Sequence, residues 1–454
     1  MNRRKKSPIG GILIFGLLVA GAGFVYTSDM FERDKPTISV ESNGYWNLKK
    51  PIPISIDDAS GLRSYKVTLK TPNNETVVMD EIFMSPKKEI TLDVKAPRSI
   101  YAIKASSVTL IVEATDTSKW NLLKGNSVVK RYKLNIDKHR PRLNIVSHSY
   151  KISKGGSAIV IFKAEDENID ELYIESTNGK KFKVEEFYKD GYYISLLAWP
   201  VMNDDFKATV IAKDFAGNIA REYVPLYLKE KNYRVSNIKL SDKFLKGKIA
   251  DLAEDFVETQ GVENSLEQFR IINETVRAKN EKLIHELSSK VSDERISNFK
   301  INRMYPLRNA QVVARFGDHR KYFYDGDFIS ESYHLGLDLA SNSMAKIKPQ
   351  NGGEVVYADF NGLYGHMPMI SHGLGLYTIY GHCSTLKVEA GEHIKARTVI
   401  ANTGKSGYAM GDHLHFGVLV QGIEVRPQEW MDKDWIRINI TNIIKNAKKI
   451  INRN

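Results

Sequence analysis

Two stretches of this sequence answer each other, and that internal match limits the fold more than any single motif does. "RDKPTISV", ending at Val40, corresponds to "HRPRLNIV", ending at Val146. "IPISIDDASGLRSYKVTL", around Ile54, follows the pattern of "AIVIFKAEDENIDELYI" from Ala158, with acidic turns at Asp57 and Asp58 in one copy and at Glu165 and Asp166 in the other. "VTLIVEATDTSKWN" and "ATVIAKDFAGN" then share an alternating strand, an aspartate (Asp116, Asp214) and an asparagine in the following turn (Asn121, Asn218). Short alternating runs between turn signals, repeated at roughly 100 residues, read as two β-sandwich modules of immunoglobulin-like type. We place them at 35–136 and 137–228. Such modules space or bind, and a protein partner for them is expected.

The chain has 454 residues, too many for one ordinary domain, with 42% hydrophobic and 26% charged residues, normal for a folded chain. Its single cysteine, Cys383, excludes an intramolecular disulfide and a thiolate-rich metal cluster. Arg3, Arg4, Lys5 and Lys6 precede a run without charge from Ser7 to Ser28. Basic residues before about 20 apolar ones predict a single-pass membrane anchor over 1–28, with a cytoplasmic N-terminus and the rest of the chain extracytoplasmic, in the periplasm. A cleaved signal peptide is the alternative, given the small residues Ala20–Ala22. The net charge of +12 suits an acidic wall polymer or anionic lipid, whereas no arginine and aromatic interleaving supports a nucleic-acid groove.

From Ser241 to Ser289 the period changes. Leu245, Ile249, Leu252 and Phe256, then Phe269, Ile272, Val276, Leu283 and Leu287, recur at helical spacing around a break at Gly261, which predicts a helical hairpin linker over 240–290. It connects neighbouring domains, or covers a site. Alternating strands return over 300–430, and an apolar stripe of Ile440, Ile443, Ile444, Ala447, Ile450 and Ile451 predicts an amphipathic helix over 431–454 that docks on the protein or lies on a membrane surface.

Eight of the eleven histidines lie between His319 and His415, and three segments arrange them. In "YHLGLDLA", alternation sends His334, Gly336 and Asp338 to one face, with the glycine leaving room for a metal or substrate. "GLYTIYGHCS" places Tyr380 and His382 together, and "GDHLHFGVLV" places His413 beside His415. A catalytic zinc site takes three nitrogen or carboxylate ligands and keeps one position open. His334, Asp338 and one histidine of the HLH pair supply that count. The remaining imidazoles suit proton transfer near neutrality. His366, His372 and His393 read as turn or surface residues, His319 is open, and Cys383 reads as a packed residue without a partner base.

These segments resemble the LytM or lysostaphin-type zinc peptidases, the M23 peptidases, over about Pro306 to Pro427. The likeness rests on HxxxD at His334 and Asp338, "YGH" at His382 and HxH at His413 and His415, and extends through "GGEVVYA" from Gly352 and "VEAGEHIKARTVIANTGKSG" from Val388. The resemblance implies an all-β Gly-Gly endopeptidase-like catalytic domain and Zn2+ held by His334, Asp338 and His415. It further implies that His382 and His413 activate water and stabilise the oxyanion, and that the substrate is peptidoglycan peptide. Two segments depart from the family pattern: "KSGYAMGD", with Tyr408, Ala409, Met410 and Asp412, replaces its serine-threonine-glycine loop, and "YGHC" replaces a small residue and serine.

The expectation is therefore a mainly β chain: a zinc-dependent endopeptidase cutting peptide cross-links of peptidoglycan. Its rivals are a catalytically silent regulator that activates another wall hydrolase, in which the ligand set is usually broken, and a zinc enzyme acting on exported protein.

Overall fold

The structure is a computed structural model and describes residues 9–72, 74–98 and 105–453. Strand predominates over helix, as the sequence patterning requires. The chain divides into two compact units, the first comprising 1–141 with 168–170 and 213–219, the second the remainder.

One expectation fails at the N-terminus. The described helix there, Ile9–Thr27, has 19 residues, about 28 Å at 1.5 Å per residue against a hydrocarbon core of ~30 Å. Among the described residues no helix is long and apolar enough to cross a membrane. The single-pass anchor, and the extracytoplasmic placement that rested on it, are thereby overturned; the basic cluster at 3–6 lies outside the described residues.

The first unit is built around two long strands, Ile52–Thr71 and Asn74–Val94. The first of these bends at a register break between Asp57 and Ser64, where Gly61 has φ +92°. It therefore pairs with Thr37–Val40 before the bend and with Ser107–Asp116 after it. Alternation puts Ile54, Ile56, Val67, Leu69, Leu110 and Val112 into one core, none more than 1% exposed. One correspondence drawn from the sequence shifts: the partner of Asp116 is Asn126, not Asn121. Asn126 donates its backbone and side-chain N–H groups to Asp116 as Asn218 does to Asp214. The turn between is longer in the first copy and contains three residues with positive φ, Asn121 to Leu123, which moves the asparagine along the chain.

The second unit opens with four-stranded sheets, one running Glu185–Glu186, Tyr192–Ala198, Ser157–Glu165, Arg142–His148. The C-terminal helix Asn442–Ile451 buries Ile444, Ala447 and Ile451, and Ser147 Oγ donates to the Ile443 carbonyl at 3.1 Å, so the apolar stripe docks on protein. In the helical segment, Leu245, Ile249, Leu252, Phe256, Phe269, Ile272 and Val276 form one core with Tyr322 and Leu363. Asn264 caps the helix Ser265–Ile271 by accepting from Leu266 and Glu267 N–H. In the last helix, Arg277–Ser288, Ile284 rather than Leu283 or Leu287 is the fully buried residue.

An eight-stranded sheet completes this unit, its strand Leu414–Val420 wholly buried between Leu337–Ala340 and Leu376–Gly381. Hydrophobic side chains on both faces are what a central strand needs. The register sets Asp338 opposite His415 on one side and Gly381 opposite His415 on the other. A separate three-stranded sheet, Val235–Lys239, Asp318–Tyr324 and Asp327–His334, ends at His334.

Candidate metal centre

His334, Asp338 and His415 converge. His334 Nε2 lies 3.0 Å and His415 Nδ1 2.9 Å from Asp338 Oδ1, with 3.2 Å between the two nitrogens. All three residues are buried, and they are one of the groups whose candidate ligand atoms lie within 4.8 Å of one another. The backbone fixes which nitrogen faces inward: His334 Nδ1 donates to the Arg315 carbonyl at 2.9 Å, leaving Nε2 for the centre.

The sequence expected HLGLD to run as one strand; instead a strand ends at His334 and another begins at Leu337. The chain turns between them, and that turn brings His334 from a different sheet against Asp338. Gly336 has a different use from the one expected. A Cβ there would sit 2.4 Å from His415 Cε1 and Nε2, so the glycine makes room for the imidazole itself. Gly336→Ala is accordingly expected to displace His415 and weaken metal retention roughly 10–100-fold, as loss of an orienting contact does. Equilibrium dialysis with metal analysis measures it, and unchanged far-UV circular dichroism shows that the sheet survives.

His382 and His413 flank this triad. Their ring centroids are 4.8 Å apart, and His413 Nε2 is 3.7 Å from Asp338 Oδ2. Neither lies inside a strand as expected. Leu376–Gly381 stops one residue before His382, whose φ of +63° swings it out of the sheet, and Leu414–Val420 starts one residue after His413. His382 Nδ1 donates to the Ser406 carbonyl and His413 Nδ1 to the Gly411 carbonyl, each at 2.8 Å, so both present Nε2.

The electrostatics suit a cation. Burial alone would raise the Asp338 carboxyl, but the hydrogen bonds and charges of His334 and His415 outweigh it and hold the group well below the usual carboxylate range. Burial lowers His415, and burial with its histidine neighbours lowers His382 to about 3. The donor set is thus one carboxylate and two imidazole nitrogens without thiolate. These residues fit a three-ligand metal of the zinc type.

The centre lines a cavity of about 630 Å³. Leu240, Phe244 and Arg277 of the helical segment, with Arg320, form walls that sequence reasoning did not assign, and Tyr408 and Met410 of the departing loop join them. Tyr408 packs on Phe244, ring centroids 6.2 Å apart, and Asp412 accepts from Thr403 Oγ1, Ser343 Oγ and the Met344 N–H, so the departing loop is tied down. Tyr364 sets its ring edge-on to His415 at 5.4 Å, between the positive-φ glycines Gly362 and Gly365 that signal its turn. The orienting carbonyls of Arg315, Ser406 and Gly411 leave no side-chain signal at all.

The other histidines lie elsewhere. His319 stacks on Tyr333 and meets Glu331 at 3.0 Å; half-buried His372 donates to the Gly352 carbonyl, and desolvation of its ring pushes it down to about 4. His366 is half-buried and His393 exposed. Burial pushes the Cys383 thiol up to about 12, which suits packing and not attack.

Residues 332–427 match the model of Peptidase family M23. Stage II sporulation protein Q of Bacillus subtilis (strain 168) is 32% identical over 130 residues, 25% of this chain and 46% of that protein. The DD-carboxypeptidase/endopeptidase Mpg of Neisseria meningitidis serogroup B (strain ATCC 13091 / M2091) is 30% identical over 94 residues, 21% of this chain and 22% of its own. The murein hydrolase activator EnvC of Escherichia coli (strain K12) is 30% identical over 98 residues, 22% of this chain and 23% of its own. The chain spans less than half the length of each of these relatives.

Proposed function

We propose that this chain, whose residues 332–427 form a peptidase family M23 domain, is a zinc-dependent endopeptidase that hydrolyses peptide cross-links of peptidoglycan. The observation that carries the reading is an intact donor set, His334, Asp338 and His415, open to a cavity on whose wall two further histidines present Nε2.

In this reading His334 Nε2, Asp338 Oδ1 and His415 Nδ1 hold the ion. Bound there, zinc supplies Lewis acidity and makes water nucleophilic near neutral pH. The rest is done by the chain. His382, kept neutral by burial, presents Nε2 as a base for the attacking water's proton. His413, half-buried on the same wall with Nδ1–H on the Gly411 carbonyl, donates from Nε2 toward the carbonyl oxygen in its imidazolium form, as charge develops on that oxygen. Leu240, Phe244 and Tyr408 give the cavity an apolar wall on the side facing the helical segment, which lowers the local dielectric around both contacts.

The test is digestion of purified peptidoglycan by the full-length, metal-loaded protein, with released fragments read by mass spectrometry. New peptide-bond ends are expected, and none after chelation or in His415→Ala. Metal-loaded protein that yields no new ends overturns the enzyme reading. The similarity to an activator supports the rival, in which the protein yields no ends alone but accelerates release by a second hydrolase. The complete ligand set favours hydrolysis.

A further inference from the structure

We propose that the histidine centre acts on an anionic peptide: Arg277 and Arg320 form a subsite that takes a free carboxylate of the chain being cut, and that chain runs on into an adjoining cationic cleft. The inference rests on the endopeptidase reading of the same cavity and adds its substrate class.

Apart from Asp338 and the histidines, the charged side chains on the wall of the catalytic cavity are Lys239, Arg277, Arg320 and Asp412. Asp412 accepts from Thr403 Oγ1, Ser343 Oγ and the Met344 N–H, and among the described residues it pairs with none of the three cations. Both guanidinium groups are held in place. Asn273 is 2% exposed and donates from Nδ2 to Ser330 Oγ at 2.8 Å and to the Glu331 carbonyl at 3.2 Å, on the strand that ends at His334. Its Oδ1 then accepts from Arg277 Nη2 at 3.0 Å, and its carbonyl from Arg277 Nε at 3.2 Å. Arg320 lies on the neighbouring strand Asp318–Tyr324, opposite Ser332, and its Nε donates to Asp318 Oδ2 at 3.4 Å.

The donors left over point to a ligand. A guanidinium carries five N–H groups, and among the described residues Arg277 spends two of them and Arg320 one. Both side chains are sheltered, 17% and 24% exposed. Their ion-pair partners neutralise them incompletely. Glu281 stands 3.8 Å from Arg277 Nη1, beyond hydrogen-bond reach, and burial pushes that carboxyl up to about 7; Asp318 is shared with Ser236 Oγ, which donates to it at 2.7 Å. Burial raises the Tyr408 hydroxyl, and the charges of Arg277 and Arg320 both oppose that rise, so the two guanidiniums lie around one point of the wall. Sheltered forks with open donors are what binds a carboxylate bidentately.

The positive charge continues beyond this cavity. A second cavity, of about 770 Å³, shares Ile238, Val313 and Arg320 with the first, and the other cations on its wall are Lys231, Arg234, Arg315 and Arg426, against the one lining acid Asp318. Glu429, outside the lining, meets Arg426 at 3.4 Å and offsets one of these charges, which leaves cations in excess. Their repulsion is felt at Lys231, whose ammonium is lowered by Arg426 first, then by burial, Lys229 and Arg315. An uncharged bridge peptide gains little from such a wall, whereas a peptide with several carboxylates is drawn into it from solution. Arg320, at the junction of the two cavities, is where such a chain passes from the cleft to the metal centre.

The test compares two synthetic cross-linked peptides, identical except that the carboxylates are free in one and carboxamides in the other. Binding of each, fluorescently labelled, to the full-length, metal-loaded protein is read by anisotropy, and cleavage by mass spectrometry. The carboxylate peptide is expected to bind roughly 10–100-fold more tightly, the usual worth of a hydrogen bond to a charged group, and to be cut with a correspondingly lower KM. Arg277→Gln and Arg320→Gln should each weaken its binding about tenfold or more, leave binding of the carboxamide peptide unchanged and keep the bound metal. Arg320→Lys, which keeps the charge without the planar fork, should recover part of the loss. Equal binding of the two peptides by the wild type overturns the inference, and so does an equal loss for both peptides in the glutamine variants, which a general loosening of the cavity would produce. Preference for the carboxylate peptide without cleavage leaves the anionic subsite standing and overturns the endopeptidase reading; cleavage of both peptides without preference overturns the subsite alone.

Discussion

Asp338→Asn is expected to leave the protein folded and empty its histidine centre. The amide keeps the size of the carboxylate but removes the charge that His334 and His415 stabilise, and turns an N–H or a neutral oxygen toward the ion. Loss of an outer-sphere partner costs 10–100-fold in metal affinity, so loss of the one anionic ligand should cost more than about 10²-fold. Metal content after dialysis and peptidoglycan cleavage should fall together, while circular dichroism stays unchanged. A variant that keeps its zinc shows that Asp338 is not a ligand.

His413→Ala should separate binding from turnover. His413 touches the centre only at 3.7 Å, through Asp338 Oδ2, and its Nδ1 is held by the Gly411 carbonyl. The variant should retain metal within a few-fold and lose roughly 10²–10⁴-fold in kcat, the usual worth of a positioned proton-transfer group. His382→Ala should behave alike, because its Nε2 faces the same cavity. Metal loss in His413→Ala equal to that in His415→Ala would refute the division of labour between the two histidines.

Much of the site was legible because it is written in side chains of unusual type at short spacing. HxxxD, YGH and HxH survive as signals whatever the backbone does between them. The geometry was less legible. Alternation assumes a continuous strand, and at three places the chain leaves the sheet beside a functional residue: after His334, at His382 with its left-handed backbone, and before His413. Period-two reasoning picked out residues that do converge, although His382 and His413 lie outside the strands it assumed. Gly336 was singled out for the right property, its missing side chain, but the neighbour that needs the space is His415, which only the register of two strands reveals. The repeat was readable from its acids, yet its asparagine was misaligned by the longer turn at Asn121 to Leu123. The N-terminal run shows the opposite error, since flanking charge and apolar composition suggested a membrane span where no described helix is long and apolar enough to cross.

The pairing of His415 with Asp338 on one side and Gly381 on the other has a consequence for how this protein can be quality-controlled. Sliding Leu414–Val420 by one residue past either neighbour would turn every side chain on it to the opposite face and take His415 away from both partners. A misregistered molecule would keep its strand content and much of its compactness, yet bind no ion. Metal stoichiometry of a purified preparation therefore counts the fraction of molecules whose strands are aligned, a quantity that spectroscopic measures of secondary structure do not distinguish.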